Sequence, residues 1–154
     1  MSHRMIAAAF AAFLVPASLG SIPAAAQQLD ATAATPESVK WNPAPFPGIT
    51  IAVAAGNPTA TGMYAIFVKF APGAKAPPHT HPDQRIVTVL SGTIRVGIGP
   101  EIDEGKAAVL GPGSVVIIPG DALHYGWTTE SEALLQEVGT APTGTQIWSK
   151  AAGK

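Results

Sequence analysis

Between residues 49 and 149 the chain is cut into short runs by Gly56-Asn57-Pro58, Pro72-Gly73, Ser91-Gly92, Gly99-Pro100, Gly111-Pro112-Gly113 and Pro119-Gly120. Turn dipeptides at this density leave no room for long helices. The runs between them, 49–54, 64–70, 86–90, 93–98, 107–110, 114–118, 124–128, 133–138 and 145–149, are rich in β-branched and aromatic residues. Outside the first residues, none of them continues a helical period for the length a helix needs. The pattern therefore predicts about nine short strands in an all-β antiparallel sandwich or barrel. Runs 86–90 and 93–98 read as adjacent strands joined by a tight reversal at Ser91-Gly92.

With 47% hydrophobic residues in a chain of 154, one domain can bury a core. The formal charge is −1 and no basic run occurs, which argues against nucleic acid or an anionic membrane surface as a partner. The absence of cysteine removes disulfides, thiolate metal sites and cysteine nucleophiles together. Glu101, Asp103 and Glu104 form a solvated acidic loop without the alternating oxygen ligands of a calcium site.

The first residues follow a different logic. Arg4 precedes an apolar run at 6–15, and Ala24-Ala25-Ala26 offers a small-residue cleavage site before Gln27. This is the three-part pattern of a secretory signal peptide over 1–26. The run is shorter than a spanning helix, and Pro16 and Gly20 interrupt it, so no membrane anchor is expected after cleavage. The mature chain, beginning near Gln27, is expected to be periplasmic or secreted. Residues 27–45, rich in Ala, Thr and Pro, read as a flexible arm, with Trp41 and Phe46 able to pin it to the body.

Pro77-Pro78-His79-Thr80-His81-Pro82 carries the strongest chemical signal. On an extended chain, residues two apart share a side, so His79 and His81 can grip one small object together. Neutral imidazole is the commonest protein ligand of divalent transition metals. Apart from His3 in the leader, the chain has one further histidine, His124. Three imidazoles suffice for an ion with positions left open.

Spacing extends this signal to a family. Gly73, His79, Thr80, His81, Arg85 and Gly92 resemble the first cupin motif, and Gly113, Pro119, Asp121 and His124 resemble most of the second. The resemblance covers about 46–149 and implies a double-stranded β-helix, the jelly-roll or cupin barrel, over 46–150. It further implies one divalent ion (Fe, Mn, Ni, Cu or Zn) held by His79, His81 and His124, a small-molecule ligand, and a homodimer.

Arg85 stands where that motif has a glutamate ligand, Asp121 where glycine is usual, and Thr128 where asparagine is common. A guanidinium within a few ångström of a dication costs on the order of several kcal/mol in a partly dry cavity. Arg85 is therefore expected to swing out and pair with Asp83 or Asp121, to stay inward and hold an anionic ligand, or to form a surface salt bridge. Gln84, a conceivable oxygen ligand, points away from Arg85's side by strand alternation. Tyr64, Phe67, Val87 and Val89 are candidates for an apolar lining. Tyr125 and Trp127, which follow His124 and carry polar tips, are candidates for orienting a ligand.

Besides a purely structural barrel that serves as a dimerisation unit and needs no ligand, two functions fit these features. One is a metal-dependent enzyme, an oxygenase or isomerase acting on a small molecule, for which no general acid or base is evident. The other is a non-catalytic module that binds or senses a metal or a small anion.

Overall fold

The computed structural model describes residues 33–149, so the expected leader (1–26) and the start of the arm lie outside the described residues. Eleven strands follow one another among them: β1 (Asn42–Pro43), β2 (Ile49–Ala55), β3 (Gly62–Phe70), β4 (Lys75–Thr80), β5 (Arg85–Ser91), β6 (Ile94–Ile98), β7 (Ala108–Leu110), β8 (Val115–Ile118), β9 (His124–Trp127), β10 (Ala133–Ala141) and β11 (Gln146–Ile147). They form a six-stranded sheet, β1-β2-β3-β10-β5-β8, and a five-stranded sheet, β11-β4-β9-β6-β7. Every pairing is antiparallel. The fold is an all-β jelly roll. No helix among the described residues is long and apolar enough to cross a membrane.

The nine expected runs correspond to β2, β3 and β5 to β11; β1 and β4 are additional. β4 contains Pro77-Pro78, and proline donates no ladder hydrogen bond. The strand accommodates them because its pairing with β9 shifts register between Ala76 and His79, around the prolines. In the arm, β1 pairs with β2, and Lys69 lies 4.8 Å from the centre of the Trp41 ring.

One expected pairing is overturned. β5 and β6 are not partners: β5 lies between β10 and β8, and β6 between β9 and β7 in the other sheet. Ser91-Gly92 is a corner that carries the chain from sheet to sheet. Gly92 has φ 73°, and a Cβ there would lie 2.0 Å from the Glu132 carbonyl oxygen. A left-handed glycine serves a hairpin and a crossing equally well, so the local sequence does not choose between them.

Alternation sorts each strand into an inner and an outer face. Tyr64, Ile66, Val68 and Phe70 of β3, Val87 and Val89 of β5, and Leu135 of β10 enclose the core with Phe46 and Ile49. Each such large apolar side chain contributes about 1.5–3 kcal/mol by burial. The outer face of β5 and β8 is apolar as well. Ile86 pairs with Ile117 and Thr88 with Val115, and Ile86, Leu90, Val115 and Ile117 are 44, 40, 58 and 57% exposed.

Candidate metal centre and cavity

His79 sits in β4 directly opposite His124 at the start of β9, and His81 follows two residues later on the same inner side. The turn before His124 is tied to the histidine pair: Asp121 N–H donates to the His81 carbonyl at 2.7 Å. Asp121 has φ 59°, the left-handed conformation that accounts for the usual glycine here and that aspartate is among the few other residues to tolerate. A Cβ on Gly120 would lie 2.8 Å from the Pro82 carbonyl oxygen, so the two motif segments meet there at backbone contact distance.

The three histidines converge. One ring nitrogen from each lies within 4.8 Å of the other two, and all three side chains are buried. Each Nδ1 contacts a backbone carbonyl: His79 with Pro77 at 2.7 Å, His81 with Gly144 at 2.7 Å and His124 with Ala122 at 2.9 Å. A carbonyl oxygen only accepts, so each Nδ1 carries the proton and each Nε2 is left with a lone pair. This arrangement, in which the far nitrogen is fixed by a carbonyl, orients imidazole for metal ligation. The residues present fit a divalent ion.

Burial keeps these rings neutral. Desolvation first, then the nearby His124, pushes His79 down to about 4. Desolvation and then the Arg85 guanidinium do the same for His81, also to about 4. His124 is lowered chiefly by burial. A histidine with a folded pKa below its unfolded value of about 6.5 contributes stability that is complete above that value and is lost as pH falls toward the folded pKa. The metal-free protein is therefore expected to lose stability between about pH 6.5 and 4, by up to about 1.4 kcal/mol per pH unit for each such histidine. Denaturant midpoints across that range measure it; a flat profile contradicts the neutral, buried assignment.

Arg85 points inward and is buried. Its Nη1 donates to Glu137 Oε2 at 2.7 Å and its Nη2 to Thr143 Oγ1 at 2.9 Å. Nε lies 3.6 Å from Asp83 Oδ1, too long for a hydrogen bond, and has no other partner. The expected outward swing does not occur: Arg85 faces Asp83 while turned inward, pairing with Glu137 is added, Asp121 takes no part, and the ion pair is interior, not superficial. Each Asp83 oxygen accepts a hydrogen bond from a neighbouring hydroxyl. Tyr64 OH donates to Oδ2 at 2.6 Å, and the Thr143 hydroxyl donates to Oδ1. Burial pushes Asp83 up, but those two hydrogen bonds and Arg85 together outweigh it and hold the carboxyl below its ordinary value. Tyr64 is driven up to about 12, first by burial and then by its bond to Asp83.

One cation against two carboxylates leaves this cluster with one net negative charge beside three neutral imidazoles. That balance removes the objection Arg85 raises in the sequence. The guanidinium is offset before a dication arrives, and the excess charge favours the ion. Glu137 is the member of this cluster that residue-by-residue reading missed. The available signal was a carboxylate in phase with Ala133 and Leu135 on the inner face of β10.

A cavity of about 300 Å³ adjoins the histidines, its walls including Phe46, Ile66, Val68, Val116, Ile118 and Leu135, with Arg85, Glu137, Thr143 and Thr145 at its polar part. Tyr64 and Val87 line it, whereas Phe67, Val89 and Trp127 do not. Tyr125 contributes to the wall, but its hydroxyl is engaged elsewhere, accepting from Asp103 N–H at 3.0 Å and donating to the Asp103 carbonyl at 3.2 Å. Trp127 stacks on Tyr125, ring centres 6.1 Å apart, two positions along on the same face. Gln84 is exposed. Thr128 is buried and donates to the Ala71 carbonyl at 2.6 Å.

A family model described as a cupin domain matches residues 66–135. Germin-like protein 4-1 of Oryza sativa is 31% identical over 119 residues, covering 73% of this chain and 41% of its own. Germin-like protein subfamily 1 member 7 of Arabidopsis thaliana is 35% identical over 68 residues, 42% of this chain and 30% of its own. The chain thus spans less than half the length of these curated relatives. Among solved structures, a polyketide cyclase from Streptomyces resistomycificus superposes with a TM-score of 0.66 at 19% identity, covering 78% of this chain and 88% of that one. A cupin-2 domain from Rhodospirillum rubrum gives 0.62 at 19%, covering 79% and 82%.

Proposed function

This chain belongs to the cupin superfamily, and on that premise we propose that it is an exported protein holding one divalent transition-metal ion through His79, His81 and His124. The adjoining cavity takes a small, largely apolar molecule. The carrying observation is the set of three Nδ1–H···O=C bonds, which leaves three Nε2 lone pairs in one buried site. Three neutral nitrogen ligands suit Zn, Fe, Mn, Ni or Cu and leave positions open for a ligand. When bound, the ion supplies Lewis acidity. The chain's own groups orient the ligand: the apolar walls exclude water and Glu137 offers an acceptor. An oxygenase or isomerase reaction is the activity this reading favours.

Titration of metal-free protein with cobalt(II), followed by visible absorption, tests the ion site. Saturation at one equivalent is expected, and no saturable band at one equivalent contradicts it. Export is supported by the leader pattern of residues 1–26 and is checked by the N-terminus of the secreted or periplasmic product, expected near Gln27.

A homodimer is part of the same proposal. The apolar outer patch of Ile86, Leu90, Val115 and Ile117 suits a second copy of this chain. The mature protein is expected to elute as a dimer by light scattering and Ile117→Glu as a monomer; a monomeric wild type contradicts the assignment.

A further inference from the structure

We infer that Glu137 is the polar anchor of the cavity, that Arg85 is its positioning residue and not an anion receptor, and that the ligand class is an uncharged, largely apolar small molecule carrying a hydrogen-bond donor. The inference rests on the cavity being the ligand site, as proposed above, and not on a bound ion.

Arg85 is occupied where an anion would need it. A carboxylate or phosphate engages the forked nitrogens of a guanidinium in parallel. Here those nitrogens already donate to Glu137 and Thr143. Each of the two has a second N–H, but the fork as a whole is tied to protein partners, and the fifth donor, Nε–H, is buried and faces Asp83 Oδ1 at 3.6 Å. Asp83 is itself held by Tyr64 and Thr143. In the metal-free protein the cluster carries one net negative charge, and an entering anion meets that excess in a partly dry space, where repulsion is strongest.

Of the two carboxylates in the cluster, Glu137 has the more acceptor capacity left over. Its side chain is 14% exposed, it lines the cavity, and Arg85 Nη1 is the one hydrogen-bond donor to its carboxylate among the described residues. An ionised carboxylate accepts at about four lone-pair sites, so it presents acceptors to the cavity and no donor. An O–H or N–H group on the ligand satisfies it. Apart from Asn42, the three histidine rings and the Arg85, Thr143 and Thr145 side chains, the walls are largely apolar, and about 300 Å³ is room for roughly ten water-sized groups at about 30 Å³ each, the scale of a substituted aromatic ring.

Benzyl alcohol and benzoate test this on metal-free mature protein, because they share a ring and differ in charge and in the donor. Calorimetry on wild type is expected to give benzyl alcohol at least about tenfold tighter binding than benzoate, the discrimination a buried unpaired acceptor and a repelled charge impose. Glu137→Gln replaces a charged acceptor of Arg85 by a neutral one, which loosens the hold on Nη1 and removes the excess charge. Benzoate affinity is then expected to rise by at least about tenfold and benzyl alcohol affinity to fall severalfold. Benzoate binding wild type as tightly as benzyl alcohol overturns the inference, as does an unchanged ratio in Glu137→Gln with its near-UV circular dichroism intact. The wild-type comparison needs no variant to fold. Failure of both probes to bind at millimolar concentration overturns the ligand class, while the cobalt titration reports the ion site separately.

Discussion

Replacing His79 and His81 together by alanine is expected to abolish stoichiometric ion binding. The affinity for zinc or cobalt should fall by far more than the about 10–100-fold that follows loss of a mere supporting contact. The size of the effect follows from the site's construction. Three lone pairs are aimed into one buried space by three carbonyl bonds, and the double variant leaves one of them. A single imidazole cannot hold an ion against hydration. The fold is expected to survive, because the two rings lie at the edge of the core, with His79 packed on Phe46 at 5.0 Å. Metal-free stability should change by about 1–2 kcal/mol, an ordinary cost for truncation. The rise in melting temperature that saturating zinc gives wild type should vanish. Calorimetry and thermal shift read both parts; retained tight binding in the double variant would place the ion elsewhere.

Arg85→Met should have the largest effect on stability. It removes the one cation between Asp83 and Glu137, whose side chains are 6 and 14% exposed. Removing one partner of a buried ion pair costs about 3–5 kcal/mol, because the other is left charged and desolvated. That is a large share of the about 5–15 kcal/mol that holds a domain together. Losing the charge should at the same time tighten ion binding, since a repelling guanidinium is gone. Stability and affinity therefore move in opposite directions, a combination that simple misfolding does not give. In the Arg85→Met, Glu137→Met double variant much of the stability should return, with a coupling of about 1–3 kcal/mol in the mutant cycle. A loss under about 1 kcal/mol in Arg85→Met would mean that the pair is solvated in solution and resembles a surface salt bridge.

The histidine site was legible in the sequence because strand alternation and motif spacing are local. His79, His81, Asp83, Arg85 and Val87 occupy one phase of the chain, and all five are buried. Gln84 and Ile86 occupy the other and are exposed. What alternation cannot supply is the partner across the sheet. Glu137 meets Arg85 across 52 positions, and only the order β10-β5 brings them together. The corner at Gly92 was hidden for the same reason, since a left-handed glycine is common to hairpins and crossings. Tyr125 and Trp127 share a phase opposite His124, so neither polar tip is directed with the histidine, although the Tyr125 ring forms part of the cavity wall. The structure sends the Tyr125 hydroxyl to Asp103 and stacks Trp127 behind it.

X-ray absorption at the metal edge of protein loaded with one equivalent of zinc tests the central claim most directly. Three imidazole nitrogens at about 2.0–2.1 Å are expected, with the outer-shell scattering of histidine rings and the remaining positions filled by oxygen. A first shell of oxygen alone, without imidazole scattering, would contradict the three-histidine centre.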